Sequence, residues 1–177
     1  MIAEKTHARH LVELGRIQEF FENKEVYTQL LEKSEQIPLH ILMLAPEIEK
    51  NRQAYINVMF IPIDNPNIDD IQLLQLYTHL PVDYTGTMEA IAPLLVAINM
   101  NLPVGNMGFK DSSISYRYSY VVSDNSLVQQ EEFLDVFQLF FNSLALFLEL
   151  IDEVIAGKKT VQQAIKYIKD EYEGESI

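Results

Sequence analysis

The sequence predicts an α+β fold, a single domain over residues 1–177 with an antiparallel sheet of about five strands. Helices pack on that sheet, and the predicted order is α-β-β-β-α-β-β-α-α. Three observations predict it. Short segments rich in β-branched and large apolar residues follow one another with no crossover helix between them. Residues 113–122 give the cleanest alternation, with Ile114, Tyr116, Tyr118, Tyr120 and Val122 against Ser113, Ser115, Arg117 and Ser119. Helical periodicity fills both ends of the chain.

The elements follow in order. Residues 7–33 read as helical, because Leu11, Leu14, Ile17, Phe20, Phe21, Tyr27, Leu30 and Leu31 recur at helical spacing, with a break near Asn23–Lys24. Residues 37–45 and 55–63 read as a pair of strands joined by a long charged connection. Residues 64–70 (DNPNIDD) read as a turn. Residues 71–80 fit a strand or a short helix, and the strand is favoured. Residues 86–101 read as a mostly apolar helix that Pro93 either kinks or opens. Gly105 and Gly108 then lead into a strand. Residues 129–156 form a long helix, and residues 160–172 a last one, with Thr160 and Gln163 in capping-box positions after Gly157.

The long helix is the most informative element. Its polar positions, Asp135, Gln138, Asn142, Glu149 and Asp152, trace one narrow stripe. Apart from Ser143, and Glu153 beside Asp152, the rest of residues 135–153 is apolar, whereas an ordinary surface helix has an apolar face of little more than about 100°. Exposing the rest would make a patch larger than monomers tolerate. The surplus is covered by other helices of the same chain, or by a second subunit or partner, or lines a ligand pocket. If an interface, its residues are Phe137, Phe140, Phe141, Leu144, Phe147 and Leu148.

Charge narrows the function. With 13 Lys+Arg and 26 Asp+Glu, the net charge is −13. Residues 53–109 and 118–157 carry no Lys or Arg, so a phosphate backbone finds no basic track and nucleic acid is excluded as a partner. The chain has no cysteine, hence no thiol nucleophile and no Cys-based metal site. The N-terminal residues lack the apolar core of a signal peptide. Phe133–Ile151 holds too many polar groups for a bilayer helix, so a cytoplasmic protein without membrane attachment is expected.

Chemical constellations are sparse. His7 and His10 are three apart with Glu4 nearby, but no third convergent ligand accompanies them, and they read as solvated helix histidines. His40 and His79 fall in predicted strands and read as sheet residues. The 64–70 turn lacks the Gly and Glu of a calcium loop. Gly105 and Gly108 precede a strand rather than open a helix, so they form no dinucleotide fingerprint. GKKT at 157–160 reads as an interhelical turn. Arg117 reads as an exposed ion-pairing residue. The acids are scattered and form no recognisable catalytic pair. No cofactor, metal or catalytic residue is expected, and the protein is read as a non-enzyme.

Residues 87–168 resemble the YbjN family of bacterial sensory transduction regulators. Three features carry the resemblance. Asn99 is followed by Leu102-Pro103-Val104-Gly105 and Phe109. Tyr116-Arg117-Tyr118 forms an aromatic-Arg-aromatic strand. Val154-Ile155-Ala156-Gly157 is followed by Thr160 and Ala164-Ile165. The resemblance implies a secretion-chaperone-like α+β fold and a non-enzymatic regulatory or chaperone-like role, with a protein partner and homodimerisation. It implies structural roles for Asn99, Leu102, Pro103, Gly105, Tyr116, Arg117, Tyr118 and Gly157. The working surfaces expected are the sheet face and the long helix. The alternative is a small-molecule sensor or enzyme with an apolar pocket, where Asn57, His79, Tyr116 or Arg117 would converge. An acidic nucleic-acid mimic would need carboxylates aligned on one surface, and they are scattered.

Overall fold

The computed structural model describes residues 4–49, 52–63, 65 and 67–172. The described residues form four helices: α1 (Glu4–Glu22), α2 (Met88–Asn101), α3 (Gln130–Ile155) and α4 (Val161–Tyr172). The strands are β1 (Tyr27–Leu31), β2 (Ile41–Ala45), β3 (Glu47–Glu49), β4 (Arg52–Gln53), β5 (Ile56–Ile61), β6 (Ile71–His79), β7 (Asn106–Lys110) and β8 (Ser113–Ser123). Six of them form one antiparallel sheet in the order β1-β2-β5-β6-β8-β7, and β3 and β4 make a separate small hairpin. The α+β class is therefore as predicted, with six sheet strands in place of about five.

The extra strand comes from the segment read as the tail of the first helix. Glu25 takes a left-handed conformation (φ 60°) and the chain reverses. Tyr27–Leu31 then pairs with β2, from Tyr27↔Ala45 to Leu31↔Ile41. Five residues are too few for periodicity to separate strand from helix. The long connection after β2 also holds structure, with the Ala54 N–H donating to the Pro46 carbonyl (3.1 Å) at the neck of the β3–β4 hairpin. In the 64–70 turn, the Asn67 and Ile68 N–H groups donate to Asn65 Oδ1 and O, both at 3.1 Å; Asp64 and Pro66 lie outside the described residues.

The chain divides into two compact units: Met1–Thr78 with Tyr118–Asp135, and His79–Arg117 with Val136–Ile177. In the first unit, α1 covers one face of β1, β2 and β5. Its buried stripe is His7, His10, Leu14, Ile17 and Phe21, in steps of three and four. The strands answer with Leu42, Leu44, Ile56, Val58 and Phe60, which all share that face and are buried. Phe133, in the first turn of α3, meets Phe21 edge-on at 6.2 Å and Tyr120 at 6.1 Å. The buried Glu13 accepts the Val128 N–H (3.1 Å) and pairs with Arg16 (3.3 Å), tying α1 to the segment entering α3.

In the second unit, α2 runs through Pro93 from Met88 to Asn101 and packs on α4 and β7. Asn99 ties helix to strand: its Nδ2 donates to the Met107 carbonyl (2.9 Å), and its Oδ1 accepts the Met107 N–H (2.7 Å). Gly105 needs its φ of 74°, and an added Cβ would collide with the Arg117 carbonyl. Tyr116 lies flat on Phe140, rings 4.0 Å apart and 2° from parallel, and its hydroxyl donates to the Val104 carbonyl (2.6 Å). Burial pushes the Tyr116 phenol up to about 12. Before α4 the predicted capping box is present: Thr160 N–H donates to Gln163 Oε1 (2.8 Å) and Gln163 N–H to Thr160 Oγ1 (3.2 Å).

Candidate functional site

Two features of the first unit offer a working surface. The first is the sheet face opposite α1. Strand pairing puts directly opposed residues on one side of a sheet. The register Met43↔Asn57, Asn57↔Tyr77, Met59↔Gln75 and Ile61↔Leu73 therefore defines that second face. Gln29, Leu31 and Ile41 extend it toward β1, and Ser119, which accepts from Gln75 Nε2 at 3.3 Å, extends it onto β8. Met43, Met59, Ile61, Leu73 and Tyr77 are all half-buried, while Leu42, Leu44, Val58, Phe60, Leu74, Leu76 and Thr78, which alternate with them, are buried. The face is mixed in character: thioethers and aliphatics, with Asn57, Gln75 and Ser119 spaced among them. The strand bounding it at one edge, β1, carries no charge and no proline between Tyr27 and Leu31, the usual blocks to a further strand. At the other sheet edge, Asn99 occupies the backbone groups of Met107 on β7.

The second feature is a cleft of about 820 Å3 between the start of α1, the end of β5 and the start of β6. His7, His10, Gln72 and Asp124 form its polar part. His10 stacks on Phe60, ring centroids 4.3 Å apart, and its Nε2 is 3.1 Å from Gln72 Oε1, an acceptor, so that nitrogen carries the hydrogen. Gln72 Nε2 donates to Asp124 Oδ1, which also takes Arg9 Nη1 at 2.9 Å. Arg9 Nη2 donates to the Ser126 carbonyl (2.9 Å). Burial pushes His10 down to about 4, so the ring is neutral at neutral pH; the Gln72 bond offsets only part of this. His40, whose Nδ1 accepts the Lys33 N–H (3.1 Å), is also lowered, first by burial and then by nearby His7. The His7 ring sits 6.4 Å from His10 and 5.7 Å from His40, centroid to centroid. Among the described residues no group of three or more such side chains is placed to hold a metal ion.

The structure corrects several expectations. His7 and His10 are not solvated; they continue the buried stripe of α1 backward from Leu14, a spacing visible in the sequence but masked by their polarity. His40 precedes β2 in a loop rather than lying in a strand, and His79 ends β6 with Nδ1 2.8 Å from Ser113 Oγ. The long helix is not a surface. Phe137, Phe140, Leu144, Phe147 and Leu148 are buried within the chain and Phe141 is half-buried. Only Leu139 (47% exposed) and Leu146 (45%) break the polar outer stripe. By length and composition α3 is apolar enough to cross a membrane, yet these side chains are enclosed by the fold. Of the residues named for a pocket, Asn57 lies on the open face of the first unit, while in the second unit Tyr116 lies under Phe140 and Arg117 is exposed.

The motif residues are placed mainly in turns and joints. Asn99 and Gly105 act as described, Leu102 ends α2, exposed Pro103 follows it, Tyr118 is half-buried, and Gly157 takes a φ of 70° after α3. Comparisons with family models, with curated proteins and with solved structures found no match to this chain.

Proposed function

We propose that this chain is a non-enzymatic, protein-binding protein of regulatory or chaperone-like type, as the YbjN resemblance implies. It works in the cytoplasm as a homodimer, and its working surface is the open sheet face of the first unit. The observation that carries this reading is the half-buried row Met43, Met59, Ile61 and Leu73, on a face of which the alternate residues build the core. Methionine and aliphatic side chains among short amides suit adaptable contact with another polypeptide. The uncharged β1 edge lets backbone pairing add to side-chain contact. The negative charge keeps such a protein soluble while it presents an apolar face.

Size-exclusion chromatography with light scattering tests this. The expected mass is twice the 20.4 kDa of one chain. Met59→Asp on the open face should give a folded monomer. Val96→Asp, on the 58% exposed flank of α2, should leave the dimer intact. A wild-type monomer at micromolar concentration overturns the dimer.

A further inference from the structure

We propose that residues 4–10, the first two turns of α1, form an acid-released latch. Protonation of the His7–His10–His40 cluster frees them from the sheet while the rest of α1 stays docked. The latch lies wholly within the first unit and is independent of the protein-binding role.

Burial along α1 changes character at His10. The later turns dock through Leu14, Ile17 and Phe21, all fully buried. Residues 4–10 bury two side chains only, His7 and His10. A third buried imidazole, His40, faces them from the segment before β2. The His7 ring stands edge-on to both, 6.4 Å from His10 and 5.7 Å from His40. The grip of these two turns on the sheet is therefore made of groups that change charge in mild acid.

The geometry suits neutral rings only. An imidazolium carries hydrogen on both nitrogens. His40 Nδ1 accepts the Lys33 N–H at 3.1 Å, so a hydrogen there sets donor against donor and breaks the bond. His7 Nδ1 is buried with no partner among the described residues; the neutral ring can leave it bare, but the cation cannot. His10 keeps its Nε2 hydrogen on Gln72 Oε1, and a second one puts charge beside His7 and Arg9. Burial holds both His10 and His40 below the ordinary histidine value. The surrounding carboxylates do not reverse this. Glu4 is held by Lys33 (2.7 Å), Asp124 by Arg9 (2.9 Å) and Gln72, and Glu13 by Arg16 (3.3 Å) and the Val128 N–H. Asp69 and Glu32 are exposed, and burial and His7 outweigh the pull of Glu32 on the His40 cation. Release uncovers the Phe60 ring on which His10 stacks.

Native-state amide exchange of the full chain, read by NMR at pH 7.5 and pH 5 in low urea, tests this. With His10 at 6.5 when released and about 4 when docked, the docked state loses stability as pH falls below 6.5. This ring alone then raises the opening constant about 30-fold between the two pH values. Protection of the Arg9–Val12 amides should fall by that factor or more, through an opening that urea does not promote, whereas β2 and β5 amides need a larger, urea-promoted opening. Glu4, held below the ordinary carboxylate value by its Lys33 bond, stays charged at pH 5, so loss of that ion pair does not mimic the effect. His10→Phe, which keeps a ring on Phe60, should cut the fall at least about tenfold. His40→Asn, whose Oδ1 can still accept the Lys33 N–H, should reduce the fall without changing protection at pH 7.5, and it carries the test should His10→Phe fail to fold. His79→Asn, outside the cluster, should keep the full response. A wild-type fall below about threefold, a fall that a folded His10→Phe or His40→Asn leaves intact, or Arg9–Val12 amides that open only together with β2 and β5 would each overturn the proposal.

Discussion

Replacing Asn99 with alanine should destabilise the chain by breaking the joint between α2 and β7. The side chain of Asn99 serves both backbone groups of Met107, at 2.9 and 2.7 Å. Alanine removes both partners at once and leaves an N–H and a C=O on edge strand β7 beside a buried side chain. Each orphaned group costs about 1–3 kcal/mol when water cannot reach it. Asn99 itself is half-buried, so water recovers part of that, and the expected loss is about 2–3 kcal/mol. Urea unfolding followed by circular dichroism is the assay. With a slope of about 1.5–2 kcal/mol per molar, the midpoint should fall by roughly 1–2 M without a change in slope. Amide exchange at Met107 should lose protection in the same variant. Asn99→Asp should cost at least as much at neutral pH, because its carboxylate accepts the N–H but opposes the carbonyl. A midpoint within about 0.3 M of wild type for the alanine variant would refute the claim that this pair joins α2 to the strand.

Three other outcomes are expected. Phe140→Ala removes a fully buried ring stacked on Tyr116 and should cost about 3–5 kcal/mol in the same assay. Gly105→Ala should destabilise through both its left-handed backbone and the blocked approach to the Arg117 carbonyl, measurable as a lowered unfolding temperature. Acid should weaken the fold before its carboxylates titrate. His10 is neutral when folded and has an unfolded value of 6.5, so the unfolded chain binds the proton first. Stability is then intact above pH 6.5 and falls as pH drops toward about 4, by at most ~3 kcal/mol from this ring; His10→Phe should flatten that part of the curve.

Periodicity was enough for much of the fold. The alternation of residues 113–122 is β8, the 71–80 segment is β6, and the capping box at Thr160–Gln163 forms as spaced. What stayed hidden has two physical causes. Five-residue β1 carries too little periodicity, and only its pairing with β2 decides its state. His7 and His10 obey the helical core spacing, yet a polar ring in a core stripe reads as solvent-facing until its partners, Gln72 and Phe60, are brought in from distant sequence. The same long-range dependence governs the long helix. Its apolar circumference is plain in the sequence, but whether the chain or a partner covers Phe140 and Phe147 follows from tertiary packing alone. The open sheet face was legible as a possibility only, because half-buried Met and Leu look the same in sequence as buried ones.

The central claim is that the Met43–Met59–Leu73 face receives a second copy. The chain has no cysteine, so Asn57→Cys at the middle of that face gives one reactive thiol. Its rate of reaction with a thiol reagent, measured from nanomolar to high micromolar protein, tests the claim most directly. The account predicts a rate that falls as concentration rises, while a thiol placed at Val96 on α2 keeps a constant rate. A concentration-independent rate at Asn57→Cys would contradict it.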